Sequence, residues 1–424
     1  MNTGLHRRVA VAVLLAVLLP SVEVEAVAAQ GAFRRIKRGA KRVTRTRDVV
    51  NTARDAVSPS SRGVDTSVEE TPSAPVASYG SEDVDRQIAA TFAPVFYQGL
   101  GSRPRYDYIT NFDFDRDWRG DNNWANAGNA RFPLLAYIYY SVAETPTHYF
   151  ITYAVFHPRD YKGGKRRGPV LSQAIEAGVS ALGRFDPTGR AAEATLAHEN
   201  DLEGCLIVAE KRGSRVQDAR VQFVETLAHN RFLKYMPRAV APPDGVARIR
   251  LTGQHAELYI EPRGHGIRSR QPGRERKRAK DVLIYNYTGQ AGNPSKRRGN
   301  SVGYALAPLH TTLWARALPG KNQTYAEAHE YTELLAALTA NRGAGSEPGN
   351  ARGMTSGEIG SAFRGSVGGT NMARAPWGWF DGTERDRPLG EWFFDPAGTI
   401  KRHFKLGESF STTYTHTPAL GITR

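Results

Sequence analysis

A mostly β fold is the prediction, and three observations make it. Residues 134–142 and 149–156 are rich in aromatic and β-branched side chains and are separated by Glu144-Thr145-Pro146-Thr147, the composition, length and turn chemistry of an antiparallel strand pair. Residues 204–210 repeat that character, 219–227 follow as a partner, and further strands are expected at 256–261 and 282–287. Helical periodicity, by contrast, is confined to short stretches, which predicts peripheral α-helices around a β core.

In chain order, the N-terminus carries the three parts of a secretory signal. Arg7 and Arg8 precede an apolar run over 9–19, and Ala26-Val27-Ala28 supplies small residues suited to cleavage. That run is shorter than the ~20 apolar residues a spanning helix needs, so 1–28 reads as a signal peptide and the protein as secreted. Residues 29–80 read as a disordered linker, first basic and then Ser/Pro-rich, too poor in apolar residues to offset the entropy of ordering. The chain from 81 to 424 reads as a single domain with insertions at 162–197 and 263–280 and a helical, loop-rich C-terminal part.

Within that domain a short helical pattern runs through Ile88 and Phe92. The aspartates of Asp113-Phe114-Asp115-Arg116-Asp117 suggest a calcium loop, but Trp118 and Trp124 stand where its glycine and closing glutamate belong. Strands 134–142 and 149–156 are apolar on both faces, which places them centrally, and the second runs straight into His157-Pro158-Arg159-Asp160. A helix is expected over 325–341, with Leu334, Leu335 and Leu338 on one stripe and Gly343 ending it, and glycine-rich loop over 343–369. Aromatic segments at 376–379 and 391–396 close a core or rim a pocket.

Composition narrows the function. The 40% hydrophobic content supports a real core, and the single cysteine, Cys205, excludes a disulfide framework or a Cys-rich zinc module. A net charge of +15 favours anionic partners. The loop 263–280 holds eight Arg or Lys and no aromatic, which argues against a specific nucleic-acid reader. There is no phosphate-binding loop and no His-Glu-x-x-His, since Leu202 stands at the second ligand of His198-Glu199-Asn200-Asp201-Leu202.

That last stretch, continued by Glu203-Gly204, is the densest chemistry in the chain. In a strand, Asp201 and Glu203 share a face, with His198 reaching it from the preceding turn. Two adjacent carboxylates are relieved by a cation or a shared proton. Asp160 adds a third carboxylate if strands 150–156 and 204–210 are neighbours. Three carboxylates and an imidazole suit magnesium, calcium or manganese, with zinc less favoured without thiolates. The alternative is that these residues cap a turn and pair with one of the many arginines.

The segments 153–160 and 197–203 resemble the two signatures of the necrosis- and ethylene-inducing peptide-like proteins, in which an aromatic-Pro-Lys-Asp run precedes a Gly-His-Arg-His-Asp-Trp-Glu heptapeptide. Matched by position, the resemblance places that family's divalent-metal ligands on Asp160, His198, Asp201 and Glu203. It implies a β-sandwich, and a secreted cytolysin that recognises sphingolipid headgroups. The same segments with 256–266 are similar to the Vps62-related proteins, whose later histidines fall on His255 and His265; exposed loop histidines are the alternative for both. The departures are Leu202 for the family's Trp, Asn200 for its second His, the missing disulfide and the long connection at 162–197.

Three functions are therefore expected to compete. One is a cytolysin-like module that uses the cation and a basic rim to engage anionic or glycosylated lipid or polysaccharide, with peripheral membrane contact. Another is a metal-dependent hydrolase of phosphoester or glycan, with Glu199 or His157 handling protons. The third is a structural surface protein whose ion only stabilises the fold.

Overall fold

The computed structural model describes residues 84–160, 197–238, 240–275, 281–294, 300–317, 323–330, 358–367, 373–384, 387–422 and 424, all within the unit Ala77–Arg424. The expected signal peptide, the 29–80 linker, nearly all of the 162–197 insertion and the 331–341 part of the expected helix lie outside these residues.

The fold is mostly β, as expected. Four strands form its centre: β2 (Tyr137–Glu144), β3 (His148–Asp160), β4 (His198–Glu210) and β5 (Arg220–Leu227), joined antiparallel in sequence order. Every residue of β3 is buried, so both its faces are covered. One face carries Tyr153, whose hydroxyl donates to Ala89 O of the helix Val84–Thr91 (2.6 Å), and the other carries Phe156, packed on Phe112 (5.2 Å between ring centres).

The remaining main-sheet strands are β1 (Val95–Leu100), β6 (Phe232–Pro237), β7 (Ala247–Ile249), β8 (Leu251–Thr252), β9 (His255–Ile260), β10 (Ile267–Ser269), β11 (Asp281–Tyr287) and β12 (Ser301–Pro308). They extend the sheet to twelve strands in the order β10-β9-β1-β11-β12-β2-β3-β4-β5-β6-β7, with β8 on β9. The sheet is mixed: β1/β9, β11/β12, β12/β2 and β6/β7 are parallel. It curls until its β9–β10 arm meets β4 and the turn after β5. His265, just before β10, bonds Asp201 of β4, and a Cβ on Gly266 would lie 3.2 Å from Ala228 Cβ. The β-rich core is thus one continuous mixed sheet that curls to face itself, with few and short helices among the described residues.

Two expectations fail locally. Residues 325–330 are strand β13 (Tyr325–Glu330), antiparallel to β14 (Glu358–Phe363), not helix, and β14 falls in the expected glycine-rich loop. Stacking of Tyr325 on Phe363 (5.3 Å) and their burial outweigh the helical stripe, whose leucines all lie beyond residue 330. The basic 263–280 segment, expected as a loop, contributes edge strand β10. The C-terminal aromatics are core: Trp377, Trp392 and Phe394 are fully buried. Among the described residues no helix is long and apolar enough to cross a membrane.

Candidate functional site

The β3/β4 register places Asp160 opposite His198, His157 opposite Asp201 and Val155 opposite Glu203. His198 is therefore in the strand and not in a preceding turn. Asp201 and Glu203 share a face, by the period of two. Asn200, between His198 and Asp201, is left-handed (φ 64°) and interrupts strict alternation there. That conformation costs an L-residue about 1–2 kcal/mol. Three hydrogen bonds offset it: Asn200 Nδ2 donates to Gly120 O (2.6 Å) and Arg364 O (2.7 Å), and its Oδ1 accepts from Asn123 Nδ2 (2.7 Å).

Pairing of β4 with β5 covers Cys205 to Glu210, so the N-terminal half of β4 extends past β5. The chain leaves β5 through His229 and Asn230, both left-handed, and a cavity of about 40 Å³ forms beside the uncovered half of β4. Asp160, His198, Asp201 and Glu203 all line it. All four are buried, and His198 Nε2 lies 3.5 Å from Asp160 Oδ2. Glu203 Oε1 accepts from His229 N (3.2 Å).

His265 organises the rear wall. It is fully buried and left-handed (φ 48°), with Nδ1 2.8 Å from Asp201 Oδ2 and Nε2 3.4 Å from Asp107 Oδ1. Asp107 is itself oriented by Gly101 N and Arg263 N, each donating at 2.7 Å. Burial opposes a charge on His265, but its bonds to the two carboxylates outweigh that and push the imidazole up to about 9. Burial likewise opposes ionisation of Asp201, yet the bond from His265 and the neighbouring imidazoles hold its carboxyl below the usual range. His157 stacks on His265 at 3.7 Å and 3°; burial first, then repulsion from His265, keep it neutral.

The other sequence candidates stand elsewhere. Glu199 faces away from the cavity walls: Oε1 accepts from Trp124 N, and Oε2 from Ser366 N (2.6 Å) and Ser366 Oγ (2.9 Å). It pins two loops to β4. His157 bonds Gln98 Oε1 (2.9 Å), and His255, at the β8–β9 turn, bonds Ala93 O (2.7 Å). Neither lines the cavity.

Sequence reasoning missed Arg374 and His229 in the wall and Asp107 behind it, whereas Trp379 belongs to the 376–379 aromatic segment expected to close a core or rim a pocket. Trp379 packs on β4 at Gly204, where a Cβ would lie 2.3 Å from Trp379 Cη2 and 2.5 Å from Tyr153 O. Chemically, the donors suit a hard cation, and His265 behind Asp201 is the kind of partner that orients a ligand. A cavity of this size admits an ion or a water. Among the described residues, however, no three His, Cys, Asp or Glu side chains stand at metal-holding spacing; Asp201 is drawn toward His265, so the walls must close for an ion to be held.

The site and fold together define a β-rich protein with a buried acidic cavity at paired strand ends. No protein-family model and no curated protein matches the chain. Solved structures to which it is similar are proteins of the necrosis- and ethylene-inducing toxin fold. They include the non-toxic HaNLP3 protein (TM-score 0.26, 13% identity, over 53% of this chain and 74% of that one). NLPPya in complex with glucosamine gives 0.25 and 14%, over 44% and 67%. Necrosis and ethylene inducing protein 2 from the causal agent of cocoa's witches' broom disease gives 0.23 and 15%, over 53% and 73%. Likeness at this level carries no weight for the site, whose geometry stands by itself.

Proposed function

We propose that this is a secreted β-rich binding protein that holds a divalent cation between Asp160, His198, Asp201 and Glu203 and engages a glycosylated or anionic lipid headgroup, or a surface glycan, through it. The observation that carries this reading is the convergence of those four side chains, from two strands, on one small cavity. The cation, magnesium, calcium or manganese by its oxygen-rich donors, would supply a Lewis-acidic point for vicinal hydroxyl or acidic oxygens. This chain's residues do the rest: His265 fixes Asp201, and His229 N orients Glu203. Binding is favoured over hydrolysis because Glu199 and His157, the residues able to move protons, are committed to buried bonds away from the cavity wall. Export rests on the 1–28 pattern, and peripheral membrane contact on the +15 charge.

The test is elemental analysis of the purified protein beside Asp201→Ala and Glu203→Gln, with circular dichroism to show that each folds. About one equivalent of metal is expected in the wild type and a clear loss in both variants. Metal-dependent retention on glycan arrays or glycolipid vesicles should fall with chelator. Equal metal content in all three proteins would overturn the reading.

A further inference from the structure

The curled sheet leaves one seam. Its end strands β7 and β10 face each other without pairing, and Ser269 Oγ crosses the gap to donate to Arg248 O (3.2 Å). Two adjoining cavities, about 760 Å³ and about 360 Å³, share Arg248, Ser269, Gln271 and Arg274 in their walls and so form one groove along the seam. The larger lies within the roughly 300–1,000 Å³ range of ligand pockets. Its wall is braced from behind. His403 Nδ1 is 2.7 Å from Glu225 Oε1, and this fully buried carboxylate also accepts from Trp392 Nε1 (2.7 Å).

The groove is cationic beyond what its own acids neutralise. Arg268 pairs with Glu261 (2.9 Å), Arg270 with Glu257 (2.9 Å) and Glu275 (3.1 Å), and Arg250 with Glu257 (3.6 Å). Arg231, Lys234, Arg238, Arg248, Arg274 and Lys405 also line it, and among the described residues none has a carboxylate within 4.0 Å. Two of these heads are held in place: Arg248 Nη1 donates to Arg238 O, and Arg274 Nη1 to Gln271 Oε1 (2.9 Å). Unneutralised charge in a concave wall concentrates potential, and oriented guanidinium forks match the two oxygens of a carboxylate or sulfate.

The walls also select the partner. Single-stranded nucleic acid is held by stacking on exposed rings, whereas Phe232, Tyr235 and Tyr259 are buried. An anionic membrane is a flat surface that attracts exposed basic residues, whereas these cations line the walls of a groove, and the exposed large apolar side chains among the described residues that could insert are Val84 and Val240 alone. We infer that the seam groove binds a segment of acidic polysaccharide, whose carboxylate or sulfate groups pair with the unneutralised cations of β6, β7 and the segment after β10. This site is separate from the acidic cavity and does not rest on the metal reading.

The test uses the full chain and fluorescent polygalacturonate oligomers, with neutral dextran, duplex DNA and phosphatidylserine vesicles as comparators. Arg248→Glu/Arg274→Glu is compared with Arg212→Glu/Arg215→Glu, an equal charge change at exposed positions outside the groove; Lys405→Ala serves as a mild third variant, and circular dichroism confirms folding. Polygalacturonate affinity should fall about tenfold or more in the groove variant, and measurably in Lys405→Ala, while the control stays within about twofold. Binding should persist in Asp201→Ala with chelator, which separates this site from the cavity. Equal losses in groove and control variants, an unaffected groove variant, or tighter binding of DNA or vesicles than of polygalacturonate would overturn the inference.

Discussion

Replacing His265 by alanine should cost more stability than any other change at the cavity. In the metal-free protein it removes the imidazolium from between Asp107 and Asp201, two carboxylates buried at 2% and 6% exposure. Breaking a buried pair in this way typically costs about 3–5 kcal/mol. The protonation equilibrium points to the same size: a rise from 6.5 to about 9 in a fully buried group corresponds to about 3 kcal/mol favouring the charged, folded form. The expected drop in melting temperature is roughly 5–10 °C. Because the folded-state value of His265 is raised, its contribution is complete below pH 6.5 and disappears as pH climbs through 9. Asp201 is lowered, so its share is present above pH 3.8 and is lost on acidification. Urea unfolding at a series of pH values measures this. The gap between wild type and His265→Ala should be widest between about pH 4 and 6.5 and narrow above pH 9. A variant as stable as the wild type at pH 6, or a gap unchanged between pH 6 and pH 10, would refute the buried-cation account.

Gly204→Ala places a methyl inside Trp379 and the Tyr153 carbonyl; a loss of about 1–3 kcal/mol or more, with changed tryptophan fluorescence, is expected in thermal melts, and an unperturbed spectrum would count against the packing described. Asp115, which burial pushes up to about 6, opposes folding when ionised. Asp115→Asn should therefore raise the melting temperature at pH 8 and change little at pH 4, and the reverse order would contradict that sign.

The centre of the fold was legible because its information is local. Strands β2 to β5 announce themselves by unbroken aromatic and β-branched runs, and β3 is buried throughout, as apolar residues on both faces require. The short strands β7, β8 and β10, of two or three residues each, have no pattern long enough to register. Strand β13 was misread because its pairing with β14 and the Tyr325–Phe363 stack are long-range contacts that a stripe of leucines does not report.

The cavity divides in the same way. The sequence by itself determined that Asp201 and Glu203 share a face, because side chains alternate along a strand, and that Asp160 joins them if β3 and β4 are neighbours, as they are. Only the tertiary structure decided that Asp107 and His265, remote in sequence, stand behind Asp201, that Glu199 pins loops instead of facing the cavity, and that residues 268–275 wall a seam. The physical reason is that periodicity tells which side of a strand is buried, whereas what it is buried against depends on how the sheet curls.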